Sequence, residues 1–306
     1  MNTTEIQLRY NDTEYIQPPH GFCSGCGIVL ALRYFLKVMG EKVVIVMPPW
    51  CASPSVLFPK RSLVHDGGLI DIVACPFGST AIFAGGIKTA LLAKGNDETE
   101  VIGWAGDGAT FDIGFGGVSA AAERNEDFVY VCYDNEAYMN TGNQRSSATP
   151  FGAKTTTNPP PAMKLENKKN MMWIMMGHEV PYATTATIAY PDDLMAKVAK
   201  AKEMKGFRFF HILTPCVPGW GYLPEQTVKI SKLAVQTRLF PLFEIENGAK
   251  ITINKNPKQK ALSEFIQLQG RFKHLVEKDI EHFQKEINHR WDRLHHMAAF
   301  KEGRES

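Results

Sequence analysis

The chain has 306 residues, of which 44% are hydrophobic, 10% aromatic and 22% charged, a composition that excludes a disordered, collagen-like or disulfide-scaffold protein. Its 34 Lys+Arg stand against 32 Asp+Glu, so bulk charge gives no reason to expect nucleic acid or an anionic membrane as a partner. No run of about 18 apolar residues suggests a membrane span, and the opening residues lack a basic, then apolar leader, so the expected location is the cytoplasm.

Short apolar runs alternate with helix-like stretches. In chain order the pattern predicts a helix over Gly27 to Val38, strands over Val43 to Met47 and Leu69 to Ala74, and a helix over Thr80 to Ala93. A strand over Val101 to Trp104, a helix over Gly114 to Ala122 and a strand over Phe128 to Tyr133 follow. After a gap come a strand over Tyr182 to Ile188, a helix over Pro191 to Met204, a strand over Phe207 to Leu213 and a helix over Pro224 to Phe240. Strands that read as continuous apolar runs are buried on both faces, and their alternation with helices implies an α/β fold, a mostly parallel sheet with helices on both sides. The gap, Asn140 to Asn170, is rich in Thr, Ser, Asn, Gly and Pro and reads as a long loop, functional or mobile.

Residues 1–250 are expected to form this α/β domain and residues 251–306 a C-terminal helical extension. In the extension, apolar residues recur at helical spacing from Phe265 through Phe272, Ile280 and Ile287 to Leu294, an amphipathic helix or helix pair in which Gly270 would cost about 1 kcal/mol.

Two groups of residues carry chemistry. In the first, an apolar strand runs into Gly106-Asp107-Gly108. Glycines let a backbone approach phosphate closely, a following helix offers free N–H groups, and Asp107 is placed to hold a divalent cation between phosphates. Twenty-eight positions later a second apolar strand ends in Asp134-Asn135. Adjacent parallel strands would bring Asp107 and Asn135 to the same carboxyl edge, where such sheets bind ligands. A carboxylate, an amide oxygen, a backbone carbonyl and two phosphate oxygens suit Mg²⁺.

The second group is drawn from six cysteines, at 23, 26, 51, 75, 132 and 216. Cys23 and Cys26 form a Cys-x-x-Cys turn, while Cys51 and Cys216 each follow a predicted strand at the carboxyl edge. Four thiolates suit either Zn²⁺ or a [4Fe–4S] cluster, and spacing alone does not separate them. Cys132 falls inside a strand and reads as core, and Cys75 as core or pocket wall.

The Gly-Asp-Gly and Asn pair resembles the thiamin diphosphate motif, and the text from Asp134 to Pro150, DNEAYMNTGNQRSSATP, is much more specific. It resembles the β subunit of 2-oxoacid:ferredoxin oxidoreductases, the pyruvate synthase family, over nearly the whole chain. The resemblance implies a thiamin diphosphate-binding fold in which Asp107, Asn135 and the carbonyl of Ala137 ligate Mg²⁺. Gly106, Gly108 and Ala109 would offer N–H groups to the diphosphate, and Asn140, with Thr141, would sit near the thiazolium and the substrate as the catalytic asparagine. It also implies that Cys23, Cys26, Cys51 and Cys216, the last in a Pro-Cys segment, hold a [4Fe–4S] cluster close to the thiamin.

The implied reaction is oxidative decarboxylation of a 2-oxoacid, best read as pyruvate, with coenzyme A as acyl acceptor and electrons passed singly to ferredoxin. Aromatic, branched or oxalate-like 2-oxoacids and a non-redox thiamin decarboxylase or synthase are the alternatives. Two departures from the family pattern, Met47-Pro48-Pro49-Trp50 before the third cysteine and Pro19 before His20, leave the substrate open. No glutamate stands in a convincing context for activating the aminopyrimidine ring; Glu123 and Glu136 read as facing solvent or the fold. In the family this glutamate comes from a partner α subunit. Gamma and ferredoxin-like delta subunits or domains complete the expected complex.

Overall fold

In the computed structural model, residues 13–16, 20–51 and 70–300 are described. Helix α1 (Gly27–Met39) leads into β1 (Val43–Met47), and β2 (Asp71–Ala74) into α2 (Thr80–Ala93). Then come β3 (Glu100–Gly106), a π-helical turn (Gly108–Ile113), α3 (Phe115–Glu123), β4 (Val129–Asp134), α4 (Met171–Gly177) and β5 (Tyr182–Thr187). Next are α5 (Pro191–Lys202), β6 (Arg208–Leu213), the single turn α6 (Val217–Trp220) and α7 (Thr227–Gln236). The chain ends in β7 (Phe243–Glu246), β8 (Lys250–Ile253), α8 (Leu262–Ile266) and α9 (Glu277–Ala299).

The strands form one eight-stranded sheet in the order β2-β1-β3-β4-β6-β5-β7-β8. The first six in that order run parallel; β7 is antiparallel to both its neighbours. Strands β1 and β4 are buried at every position, as their unbroken apolar text demands. Alternate residues feed two cores. Ile102, Trp104 and Phe210 pack with Phe35 of α1 and Leu194 of α5 on one face. Val101, Tyr130 and Phe209 pack with Ala84 of α2, Val118 of α3 and Met175 of α4 on the other. Phe35 meets Trp104 and Phe210 edge to face at 5.7 and 5.4 Å, a geometry that adds about 0.5–1.5 kcal/mol per pair to the burial itself.

The predicted strand from Leu69 starts instead at Asp71, and Leu69 lies outside the described residues. The helix expected over Pro224 to Phe240 is interrupted. Pro224–Gln226 form a 3₁₀ turn, α7 ends at Gln236, and Arg238 turns left-handed at φ 63. The C-terminal periodicity divides in the same way. Phe265 belongs to α8, Phe272 to a 3₁₀ turn (Gly270–Phe272), and Phe283, Ile287, Trp291 and Leu294 form the buried stripe of α9. Gly270 is therefore not a helix interior residue; it starts that turn, and its N–H donates to the Gly221 carbonyl at 2.9 Å. The expected boundary at 250/251 falls on the first residue of β8.

Candidate active site

Register places the site. Gly106 pairs with Tyr133 and Asp134 with Leu213, so Asp107, Asn135 and the Thr214–Cys216 segment leave three adjacent strands at the same carboxyl edge. Asp107 and Asn135 are buried there. The Asn135 amide lies 3.1 Å from Asp107 Oδ1 and 2.8 Å from the Ala137 carbonyl oxygen. With its nitrogen inward the amide donates to both; with its oxygen inward, three oxygens face one another. Neighbouring ligands of an octahedral Mg²⁺, each about 2.0–2.1 Å from the ion, stand about 2.9 Å apart. The two spacings from the Asn135 amide both match adjacent corners of such an octahedron.

Burial and the Asp134 charge push the Asp107 carboxyl well above the usual carboxylate range, although Ser146 Oγ donates to its Oδ2 at 2.5 Å. A cation bound there would relieve that cost. Asp134 goes the other way. Burial alone would raise it, but Lys168 and His211 hold it down to about 2. Burial pushes the His211 imidazole below its ordinary value against the pull of Asp134, whose Oδ2 lies 2.6 Å from its Nε2.

Beside these groups lies a cleft of about 380 Å³ whose wall includes Gly106, Asp107, Gly108, Ala109, Asn135, Ala137, Asn140 and Thr141. All the residues expected to bind the thiamin cofactor and its metal therefore face one space. A Cβ on Gly108 would stand 2.5 Å from the Tyr138 ring, so this position accepts only glycine without displacing the tyrosine. Pro49, Trp50, Phe77 and Ile113 add an apolar stretch to the wall.

The four cysteines line a second cavity, of about 340 Å³. The Cys23–Cys26 turn closes through Cys26 N–H to Cys23 O at 3.1 Å, and the next amide, Gly27 N–H, donates to Pro215 O at 3.2 Å. That bond ties the first pair of cysteines to the loop of the fourth. Gly25, at φ +73, docks where a Cβ would stand 2.7 Å from Pro224 O. Burial, then the neighbouring Cys216, Cys26 and Cys23, pushes the Cys51 thiol up to about 12. Burial likewise raises Cys216 to about 11 and raises Cys26. Among the described residues, no three His, Cys, Asp or Glu side chains converge closely enough to hold a single metal ion; the sulfurs line one cavity without meeting at one point. Cys132 and Cys75 are buried elsewhere, Cys132 inside β4 and Cys75 against Thr80 Oγ1 at 3.6 Å.

The two cavities share Cys51, Asn135, Met139 and Asn140 as a common wall. Met139 leans onto the fourth-cysteine loop, where a Cβ on Gly219 would stand 2.2 Å from its sulfur. Glu123 is exposed, and Glu136 is buried in an ion cluster with Lys168 and Arg271. Neither offers a carboxylate to the cleft.

Sequence reasoning missed several of these participants. Ser146, the donor to Asp107, belongs to the very text that carried the resemblance, inside the long segment read only as a loop. Lys168 sits in a polar stretch without a motif, and Arg271 falls between the apolar positions of the periodic C-terminal stretch, where a charged residue reads as solvent-facing. Phe77 and Ile113, 40% and 64% exposed, line the cleft, and no motif marks either of them.

Comparison with known proteins gives the family of the chain. Residues 58–212 match the family described as thiamine pyrophosphate enzyme, C-terminal TPP binding domain. Ketoisovalerate oxidoreductase subunit VorB of Pyrococcus furiosus is 44% identical over 296 residues, 93% of this chain and 94% of that protein. Pyruvate synthase subunit PorB of Methanocaldococcus jannaschii is 41% identical over 295 residues, 92% of this chain and 97% of that protein. A solved 2-oxoglutarate:ferredoxin oxidoreductase from Magnetococcus marinus shares the fold, with a TM-score of 0.56 at 22% identity over 71% of this chain and 72% of that one. No helix among the described residues is long and apolar enough to cross a membrane. With relatives this similar over nine-tenths of its length, the chain belongs to the β subunits of the 2-oxoacid:ferredoxin oxidoreductases, within the thiamine pyrophosphate enzyme family.

Proposed function

We propose that the chain is the subunit that binds both thiamin diphosphate and a [4Fe–4S] cluster in a complex oxidatively decarboxylating a short 2-oxoacid, with pyruvate the first candidate. The observation that carries this reading is the shared wall. A cleft with three converging oxygen ligands stands directly against a cavity lined by four cysteines. When bound, thiamin diphosphate supplies the nucleophilic carbon for decarboxylation and the cluster a one-electron acceptor.

The chain's own residues have separable tasks. Asp107, Asn135 and the Ala137 carbonyl hold Mg²⁺, and Ser146 orients the Asp107 carboxylate. Gly106, Gly108 and Ala109 leave room for the diphosphate and turn N–H groups toward it. Asn140, with Thr141 beside it, lies in the wall of the cofactor cleft and can donate to a substrate oxygen there. Cys23, Cys26, Cys51 and Cys216 hold the cluster. Burial and neighbouring thiols push Cys26, Cys51 and Cys216 upward, so these sulfurs need a strong positive charge beside them to ionise together. Four irons spread over a cage suit sulfurs that line a cavity better than one zinc ion at a single point does.

The carboxylate that activates the aminopyrimidine ring comes from an α subunit. Gamma and ferredoxin-like delta subunits complete the complex, coenzyme A accepts the acyl group, and ferredoxin in the cytoplasm takes the electrons. A branched 2-oxoacid is the second reading, favoured by the apolar wall at Pro49 and Trp50 and by the likeness to ketoisovalerate oxidoreductase subunits.

The test is the anaerobically purified complex, examined by visible and EPR spectroscopy and given pyruvate, 2-ketoisovalerate and aromatic 2-oxoacids with a viologen dye. An iron–sulfur spectrum and dye reduction with one of these acids are expected. A colourless, iron-free preparation holding zinc would refute the redox assignment.

A further inference from the structure

Between Asn135 and Ala137, two of the three residues assigned to Mg²⁺, lies Glu136, whose backbone is left-handed at φ 67. A non-glycine residue holds that conformation only where its surroundings impose it. Here its N–H donates to Asp134 Oδ1 at 2.9 Å, its carbonyl accepts from Thr149 Oγ1 at 2.7 Å, and its side chain is held as well. Glu136 Oε1 accepts from Lys168 Nζ at 3.0 Å, and Oε2 stands 2.7 Å from Arg271 Nη2. Glu136 and Arg271 are each 4% exposed.

Arg271 has a second engagement. Its guanidinium lies 3.7 Å over the Trp220 ring, while its Nε donates to Gln269 Oε1 at 2.9 Å. Trp220 is fully buried, and its Nε1–H donates to the Asn135 backbone carbonyl at 2.7 Å. The Trp220 N–H donates to Cys216 O at 2.9 Å, closing the turn that begins at the fourth cysteine. One planar cation thus touches both loops, the metal loop through Glu136 and the Cys216 loop through Trp220. A planar guanidinium can pair with a carboxylate at its edge and stack on a ring with its face, which an ammonium cannot do as well.

We propose that Arg271 is a positioning residue that fixes the metal loop and the Cys216 loop relative to each other, and so governs thiamin diphosphate binding and cluster geometry together. The inference rests on the function proposed above.

The experiment uses the anaerobically purified complex carrying Arg271→Lys or Trp220→Phe. The lysine keeps the charge beside Glu136 but loses the stack, and the phenylalanine keeps a ring but loses the bond to Asn135. Two readouts are taken: the dissociation constant for thiamin diphosphate at saturating Mg²⁺, and the EPR line shape and iron content of the reduced cluster. Arg271→Lys is expected to weaken thiamin diphosphate binding by about tenfold, at the low end of losses seen when groups supporting metal ligands are removed, and to change the EPR line shape. Trp220→Phe is expected to move both readouts in the same direction. Wild-type values for both readouts in Arg271→Lys would overturn the proposal, as would a change in only one. A wild-type complex that bound neither thiamin diphosphate nor iron would instead refute the proposed function, so the two failures are distinguishable. Arg271→Met with Glu136→Gln serves if the lysine variant does not assemble. It removes both buried charges, and recovery of both wild-type readouts there would also overturn the proposal.

Discussion

The oxygen site and the cysteine site share a wall yet are built by different means. Asp107 and Asn135 leave neighbouring parallel strands, so the sheet's own register delivers their converging oxygens. The four cysteines come from the start of α1, the loop after β1 and the loop after β6, segments separated in the sheet by β3 and β4. Their meeting depends on tertiary ties such as Gly27 N–H to Pro215 O and Thr227 Oγ1 to Gly25 O at 2.7 Å. The oxygen site therefore has two supports, strand register and the Arg271 tie, whereas the cysteine site rests on loop-to-loop ties throughout.

The comparison breaks most sharply when one site is removed and the other is assayed. Asp107→Ala is expected to lower turnover by at least about a hundredfold, the upper range for loss of groups that support a metal. Iron content and the EPR signal should be retained. Cys216→Ala is expected to abolish dye reduction and lower iron content while thiamin diphosphate still binds, measured by calorimetry on the same preparations. Equal loss of both cofactors in both variants would show that the sites do not stand independently.

A gentler change sharpens the contrast between register and ties. Gly25 sits at φ +73 with Pro224 O only 2.7 Å from where a Cβ would be. Gly25→Ala therefore combines backbone strain of about 1–3 kcal/mol with a clash that must move the turn. The expected result is a lower melting temperature and depleted iron, with thiamin diphosphate affinity within about twofold of wild type. Full iron occupancy in Gly25→Ala would show that the turn adapts and that the ties are weaker than they look.

The same difference explains what was legible beforehand. The apolar runs ending at Met47, Gly106, Asp134 and Leu213 carry a period and a boundary, so strands, sheet type and the meeting of Asp107 with Asn135 could be read from spacing. The β7–β8 hairpin was missed although Asn247-Gly248, left-handed at φ 49 and 64, is a recognised hairpin signal between its strands. Its four-residue strands are too short to stand out against polar neighbours. The long run from Phe265 to Leu294 looked continuous because spacing cannot see that Gly270 breaks away to bond Gly221. Arg271, Lys168 and Ser146 were invisible for a deeper reason. Each acts through a partner 30 or more residues away, and nothing in their local text marks a buried cation or a carboxylate's donor.

The smallest expected effect concerns the loop that covers the oxygen site. Lys164 is buried there and, among the described residues, donates to the carbonyls of Thr149 and Asn167, the latter at 3.4 Å. Burial, with Arg145 and Lys168 nearby, brings its pKa down to about 8 from an ordinary 10.5. Between those values the unfolded chain binds a proton that the folded chain does not, so this group makes stability rise with pH from about 8 to about 10.5. Below pH 8 the cost of the buried charge is present in full, and above about 10.5 it is gone. The slope from one such group is at most about 1.4 kcal/mol per pH unit. Lys164→Met removes the titrating group. Melting temperatures of wild type and variant, measured from pH 7 to pH 10.5, should differ in slope, with the wild type rising relative to the variant. Parallel curves would mean that the Thr149 and Asn167 carbonyls, which stabilise the ammonium, already offset the cost of burying it.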